Sequence, residues 1–279
     1  MFNFSLVLLI VKSELNLEVK WLIHGSYHKS VEVNILSKTG IPFTIEYKTY
    51  GRFQGIIENF VLDVYNTRNY RKGDVVIDLG AGIGDFAVLA AKEIGKSGKV
   101  LAIEPSLRNF NLLKKNITKN NIKNVIPYNC AVSDKPGIVT IDYEDEKYEI
   151  EGLPLEQIIR DVNLDYPSIF KMDIEGAEIQ VIRSSLNILK HCRAIPIELH
   201  NTKDSIDKIL LPLGFHYIPF NQSKMIKNVM AYSIKHPILM KGLYSQYKSL
   251  GGKRSPSSLY KGTEITNIGR ILTGLYLKN

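Results

Sequence analysis

Between residues 75 and 220 short apolar runs alternate with stretches of helical spacing, and few folds accommodate that alternation. Val75-Val-Ile-Asp-Leu79, Val100-Leu-Ala-Ile103, Val125-Ile126 running on to Tyr128-Asn-Cys-Ala131, Ile169-Phe-Lys-Met172 and Ala194-Ile-Pro-Ile-Glu-Leu199 read as strands. Phe86–Ile94, Ser106–Asn116, Leu155–Val162, Ala177–Leu189 and Ser205–Leu213 have helical periodicity, and Phe215–Phe220 with Val229–Ile234 predicts a closing hairpin. Strands that are apolar at consecutive positions are covered on both faces, so the pattern predicts a doubly wound, mostly parallel α/β sheet. In such sheets ligands lie beyond the carboxyl ends of the strands.

The segments around this core have a different texture. In the N-terminal extension, residues 1–70, Val31–Leu36 and Phe43–Tyr47 alternate in period two around the turn Ser37-Lys-Thr-Gly40, which predicts a β-hairpin, and Ile56–Tyr65 is spaced like a helix. The apolar start, Met1–Val11, is shorter than the ~20 residues of a membrane span and lacks the basic start and cleavage site of a signal peptide. Two cysteines, Cys130 and Cys192, are too few for a disulfide scaffold, so a reducing, cytoplasmic setting is expected and both read as small buried side chains. The net charge is +8, and residues 236–279 hold seven basic side chains against Glu264 alone. With Leu239/Leu243/Tyr247 and Ile265/Ile268/Leu272/Leu275 at helical spacing, that segment is expected to be a basic helical tail. Tyr244, Tyr247 and Tyr260 among its lysines suit a nucleic acid or an anionic membrane surface, but the simpler expectation is a helix packed on its own domain with a solvated basic face. The expected division is 1–70, a core domain over 71–235, and the tail over 236–279.

Chemistry concentrates in Asp78-Leu-Gly80-Ala81-Gly82-Ile-Gly84-Asp85, between the first core strand and its helix. The glycines allow a tight turn and close approach of a ligand to the backbone. In the dinucleotide fingerprint GxGxxG the third glycine falls one residue later, where this chain has Asp85. A pyrophosphate on that helix end would face Asp85 and lie near Asp78, so a cationic ligand fits better. At the end of the second strand stands Glu104, followed by Pro105 and Ser106, about 20 residues after the turn, where a carboxylate accepts hydrogen bonds from ribose hydroxyls. A glycine turn plus Glu104 describes an adenosine pocket without a phosphate subsite, which suits S-adenosylmethionine (SAM) and its sulfonium.

Lys72–Gly84, Gly98–Pro105, Ala131-Val-Ser-Asp134, Leu155-Glu-Gln-Ile-Ile159 and Lys171-Met-Asp-Ile-Glu-Gly-Ala-Glu178 together resemble the FkbM-type SAM-dependent methyltransferases, in the family's order and over residues 70 to 220. Glu156 departs from the aspartate often found there. The resemblance implies a class I methyltransferase fold, Rossmann-like with seven strands, SAM as donor, and O-methylation of a hydroxyl on a small molecule or saccharide. It places Gly80, Ala81, Gly82 and Gly84 on the methionine side, with Asp78 and Asp85 nearby, and Ala131, Val132 and Asp134 near the adenine.

For the acceptor, Asp173 ends the fourth strand and is positioned to orient the SAM amino group or to take a hydroxyl proton. Glu175 and Glu178 follow, and their simpler role is to complement the N-terminal dipole of the next helix. Asp173 with Glu175 would also suit a divalent cation. Glu198 and His200 alternate onto one face of the fifth strand, a Glu-x-His that FkbM-like enzymes often carry, and an imidazole suits proton abstraction near neutral pH. The sequence lacks the Asn/Asp-Pro-Pro-aromatic turn of methyltransferases that act on nucleobase amines. Two rival readings stay open: a nucleic-acid methyltransferase docking through the tail, and a SAM-binding module without catalysis.

Overall fold

The computed structural model describes residues 18–24, 28–36, 42–47, 59, 63–143, 146–174, 176–220 and 271–278. The N-terminal segment contributes an antiparallel meander of β1 (Glu18–His24), β2 (His28–Leu36) and β3 (Pro42–Tyr47). Val31 faces Tyr47 and Leu36 faces Pro42, so the hairpin expected from the alternation is present.

The main sheet takes its first strands in βα order: β4 (Val75–Leu79), α1 (Asp85–Ile94), β5 (Lys99–Ile103), α2 (Leu107–Lys119) and β6 (Val125–Tyr128). The second half runs through α3 (Leu155–Asp161), β10 (Ile169–Met172), α4 (Glu178–Ser184), α5 (Leu186–Leu189), β11 (Ala194–His200), α6 (Lys203–Leu210) and β12 (Phe215–Pro219). A last strand, β13 (Ile271–Lys278), completes seven, in the spatial order β12-β13-β11-β10-β4-β5-β6. Neighbours from β11 through β6 run parallel, and β13 is antiparallel to both β11 and β12. This is the doubly wound, mostly parallel seven-stranded sheet that the alternation of apolar runs and helical stretches predicts.

Alternation along the strands divides the core in two. Val76, Val100, Ala102 and Ile169 pack with Phe86, Ala87, Ala90 and Ile94 of α1 and Leu113 of α2. Ile77, Leu79, Leu101, Ile103, Phe170, Met172, Ile195 and Ile197 face α3 to α6 through Ile158, Val181, Ile182, Ile188, Ile206 and Leu210. β3 lies along α2, which sets the meander on the α1/α2 side of the sheet.

Three features depart from the sequence reading. The strand expected to run from Val125 to Ala131 is divided: β6 ends at Tyr128, and Asn129 turns to donate from Nδ2 to the carbonyls of Glu104 and Pro105. The chain then forms a side sheet of β7 (Ala131–Val132), β8 (Gly137–Tyr143) and β9 (Glu146–Leu153), in the order β7-β9-β8. β9 is rich in charged residues (Glu-Lys-Tyr-Glu-Ile-Glu-Gly-Leu), and the acidic stretch Asp142–Glu146 at the tip hides the pair in the sequence.

The third departure is β13. Ile271–Lys278 is a strand, not the end of a tail helix. Leu272 and Leu275 satisfy helical spacing, but Leu275 and the adjacent Tyr276 are both buried, on opposite faces, as a strand covered from both sides requires. Residues 221–270, which include the expected strand Val229–Ile234 and most of the basic segment, lie outside the described residues, as does most of the helix expected over Ile56–Tyr65. Cys130 and Cys192 are buried as expected, and burial pushes both thiols up to about 12. Among the described residues no helix is long and apolar enough to cross a membrane.

Tyr276 anchors β13. Its side chain is fully buried, and its hydroxyl donates to Asp207 Oδ1 at 2.5 Å, while Lys203 pairs with the same carboxylate. Burial works against the Asp207 charge, but the bonds from Lys203 and Tyr276 outweigh it and hold its carboxyl below the ordinary aspartate range. Replacing a buried aromatic by alanine typically costs about 3–5 kcal/mol. Tyr276→Ala is therefore expected to lower unfolding free energy by about that amount in urea melts; a loss under about 1 kcal/mol would place the segment outside the sheet.

Candidate active site

The turn after β4 is held by the neighbouring strand. Gly80 and Ala81 both donate to the carbonyl of Ile103, at 3.1 and 3.0 Å. Glu104, next along, accepts from the Gly82 amide (2.7 Å), the Ser106 amide (2.9 Å) and Asn109 Nδ2 (3.3 Å). The carboxylate expected to bind ribose is thus buried at the end of β5 and tied to the turn. Ser106 caps α2, its hydroxyl accepting from the Asn109 amide.

The three glycines of the turn serve different ends. A Cβ on Gly80 would lie 1.9 Å from the Asp173 carbonyl, and one on Gly84 would meet Leu113 Cδ1 at 2.4 Å. These two let β10 and α2 approach. A Cβ on Gly82 would meet nothing within 4 Å, so Gly82 is the open side, where a ligand can reach the backbone. Its amide lies on Glu104, which fits an adenosine-bearing ligand laid across the turn.

The acidic groups of the turn are not equivalent. Asp78 is fully buried and pairs with Lys171 Nζ at 2.9 Å, across adjacent strands in direct register. Lys171 also donates to the Gly80 carbonyl at 3.0 Å and lies 3.9 Å from Asp173 Oδ2, between the rings of Tyr65 and Phe86 at 5.4 and 5.5 Å. Burial disfavours its ammonium, but the carboxylates of Asp78 and then Asp173 more than offset this, so its pKa stands above the ordinary lysine value. Asp85 is buried and accepts from Asn59 Nδ2 at 2.9 Å, and burial pushes its carboxyl up. Asp173, with its side chain one-third exposed, is the carboxylate left to meet a cationic ligand, and Tyr65 donates to it at 3.1 Å.

At the carboxyl ends of β10 and β11 the expected acceptor residues come together. Asp173, Glu198 and His200 each bring a polar atom to within 4.8 Å of the others. One hydroxyl, or one cation, could touch all three. His200 Nδ1 lies 2.5 Å from Oε1 of Glu178, a fully buried residue at the start of α4. Glu175, the other residue of the expected cation pair, lies outside the described residues. Ala131 and Val132 form β7 beside the Asn129 link to Glu104, and Asp134 is exposed beyond it.

Sequence reasoning passed over Lys171, Tyr65 and Asn59. A lysine inside the apolar run Ile169–Met172 was the available signal, since a buried ammonium needs a carboxylate and Asp78 occupies the matching place in β4. Tyr65 and Asn59 come from the N-terminal segment and carry no signal of their own.

The model of the methyltransferase FkbM domain matches residues 78–217, from the aspartate of the turn to β12. The chain belongs to the FkbM methyltransferase family. It carries the SAM-dependent methyltransferase domain of that family. Among curated relatives, the hexuronic acid methyltransferase AglP of Haloferax volcanii is 24% identical over 146 residues, which cover 48% of this chain and 59% of AglP. Among solved structures, an FkbM methyltransferase from Methylobacillus flagellatus has a TM-score of 0.45 at 21% identity, over 55% of this chain and 41% of that one. TYW2 of M. jannaschii, solved with AdoMet, has a TM-score of 0.43 at 18% identity, over 72% and 82%. The chain thus spans less than two-thirds of AglP and of the M. flagellatus enzyme.

Two charge-assisted hydrogen bonds to ribose hydroxyls are together worth about 3–6 kcal/mol. Calorimetry is expected to show SAM binding by the wild type and at least a ~100-fold loss of affinity in Glu104→Ala. Unchanged affinity would remove Glu104 from the pocket.

Proposed function

We propose that the protein transfers the methyl group of SAM to a hydroxyl of a small molecule or sugar, with His200 as general base. The observation that carries this reading is the meeting of Asp173, Glu198 and His200 beside the glycine turn, where β10 abuts Gly80. Gly80, Gly82 and Gly84 shape the methionine side, Glu104 takes the ribose, Ala131 to Asp134 lie on the adenine side, and Asp173 orients the amino group. Bound SAM supplies an electrophilic methyl carbon on a sulfonium. The acceptor oxygen bonds to that carbon as the carbon–sulfur bond breaks, and the hydroxyl proton passes to the imidazole of His200. Alignment of acceptor and donor is the first contribution of such a site, and proton removal the second.

The acceptor edge also bears on the class of acceptor. The name of AglP gives a hexuronic acid as the substrate of that protein. A carboxylate brought to the edge of this chain would face Asp173 and Glu198, and the nearby cation Lys171 is committed to Asp78. A neutral hydroxyl escapes that repulsion and gives an imidazole base a proton to remove.

Labelled SAM, purified protein and a panel of sugars and small-molecule alcohols test the reading. The expected result is label on a hydroxyl, with turnover about 100- to 10,000-fold lower in His200→Ala and SAM affinity within about twofold of wild type. Full activity in that variant discards the base. The reading needs no cation, so dialysis against EDTA is expected to leave turnover unchanged. Activity lost to EDTA and restored by Mg2+ or Mn2+ would make Asp173, Glu198 and His200 ligands instead.

A further inference from the structure

We infer that Glu178 is a positioning residue for the transfer: it fixes the tautomer of His200, so that Nε2 faces the acceptor as the base. The inference rests on the assignment of His200 as base and extends it to a residue whose sequence position alone suggests only a complement to a helix dipole.

Three observations separate Glu178 from a dipole-complementing glutamate. It is completely buried, whereas a carboxylate serving a helix end has no need to leave water. Its Oε1 accepts from the Gly176 amide at 3.3 Å and lies 2.5 Å from His200 Nδ1, while Oε2 has no hydrogen-bond partner among the described residues. A buried carboxylate is costly unless donors meet it, and the imidazole is the closest group to it here. His200 in turn is a fifth exposed and stands at the carboxyl end of β11, beside Glu198 of its own strand and Asp173 from the end of β10.

The tautomer follows from hydrogen-bond chemistry. A carboxylate only accepts, so Nδ1 carries the hydrogen and Nε2 keeps its lone pair. With Nδ1 directed into the protein, Nε2 is the nitrogen that takes the hydroxyl proton. The imidazolium formed during transfer is then stabilised by the Glu178 charge. This arrangement of acceptor, imidazole and buried carboxylate does the work that a carboxylate does behind a histidine base in hydrolytic triads. α4 supplies Glu178 and β11 supplies His200, so the packing of this helix on the sheet sets the ring's orientation.

The test has two arms. The first uses the wild-type protein with SAM, labelled with 15N at histidine, and reads long-range 1H–15N correlations, His200 being the signal missing from His200→Gln. The expected result is hydrogen on Nδ1 and none on Nε2 for the neutral ring; the opposite tautomer overturns the proposal. The second arm measures transfer from labelled SAM to the sugar or alcohol of the panel that takes up label. Glu178→Gln is expected to lower turnover about 100-fold with SAM affinity within twofold. In a His200→Ala background it is expected to cause no further fall, because Glu178 acts only through the ring. A further fall there marks a purely structural role and overturns the proposal. Loss in His200→Ala without loss in Glu178→Gln overturns this proposal alone, and full activity in His200→Ala overturns both it and the base assignment. Should Glu178→Gln not fold, the wild-type spectrum decides by itself.

Discussion

The ion pair between Asp78 and Lys171 joins the two halves of the candidate active site. It lies inside the sheet, between β4 and β10, on the face covered by α1. Burying two charges is expensive, and such a pair persists where geometry and further hydrogen bonds answer each group. Lys171 meets that condition by donating also to the Gly80 carbonyl and by standing near Asp173. One ammonium therefore ties the turn at the end of β4 to Asp173, the residue that follows the neighbouring strand. Removing either partner alone would leave a buried charge uncompensated, a cost of about 3–5 kcal/mol.

This pair also changes where the negative potential of the site resides. Asp78 is neutralised below the turn, and Asp85 is buried against Asn59. Glu104 takes three hydrogen bonds from the turn and the start of α2. The acidity that a sulfonium nucleoside would meet lies with Asp173, toward the acceptor edge. On the proposed reading, a donor charge and an acceptor base share one electrostatic neighbourhood, the arrangement a displacement at a methyl group between them needs.

Much of this was legible in the residues. Val75–Leu79, Ile169–Met172 and Ala194–His200 are nearly pure apolar runs because both faces are covered, and such runs survive any local ambiguity. The period-two hairpin of β2 and β3 and the glycine turn were equally plain. What the chain hides are contacts that depend on register. Lys171 looks out of place until β4 stands beside β10, and Glu178 looks like a dipole residue until β11 brings His200 to it. The run Ile271–Leu277 satisfies both periods, and its strand form is decided by partners some 60 and 75 residues earlier in the chain.

That distance has a consequence for synthesis. Among the described residues β12 pairs only with β13, and β13 fills the gap between β12 and β11. A nascent chain that has left the ribosome as far as Pro219 holds β11 and β12 without their shared partner β13. Such edges invite pairing with other chains. The sheet closes only when residue 278 has emerged, so ribosome-bound chains of this protein pass through a window of exposure to aggregation, and chaperones that hold unfinished sheets would act there.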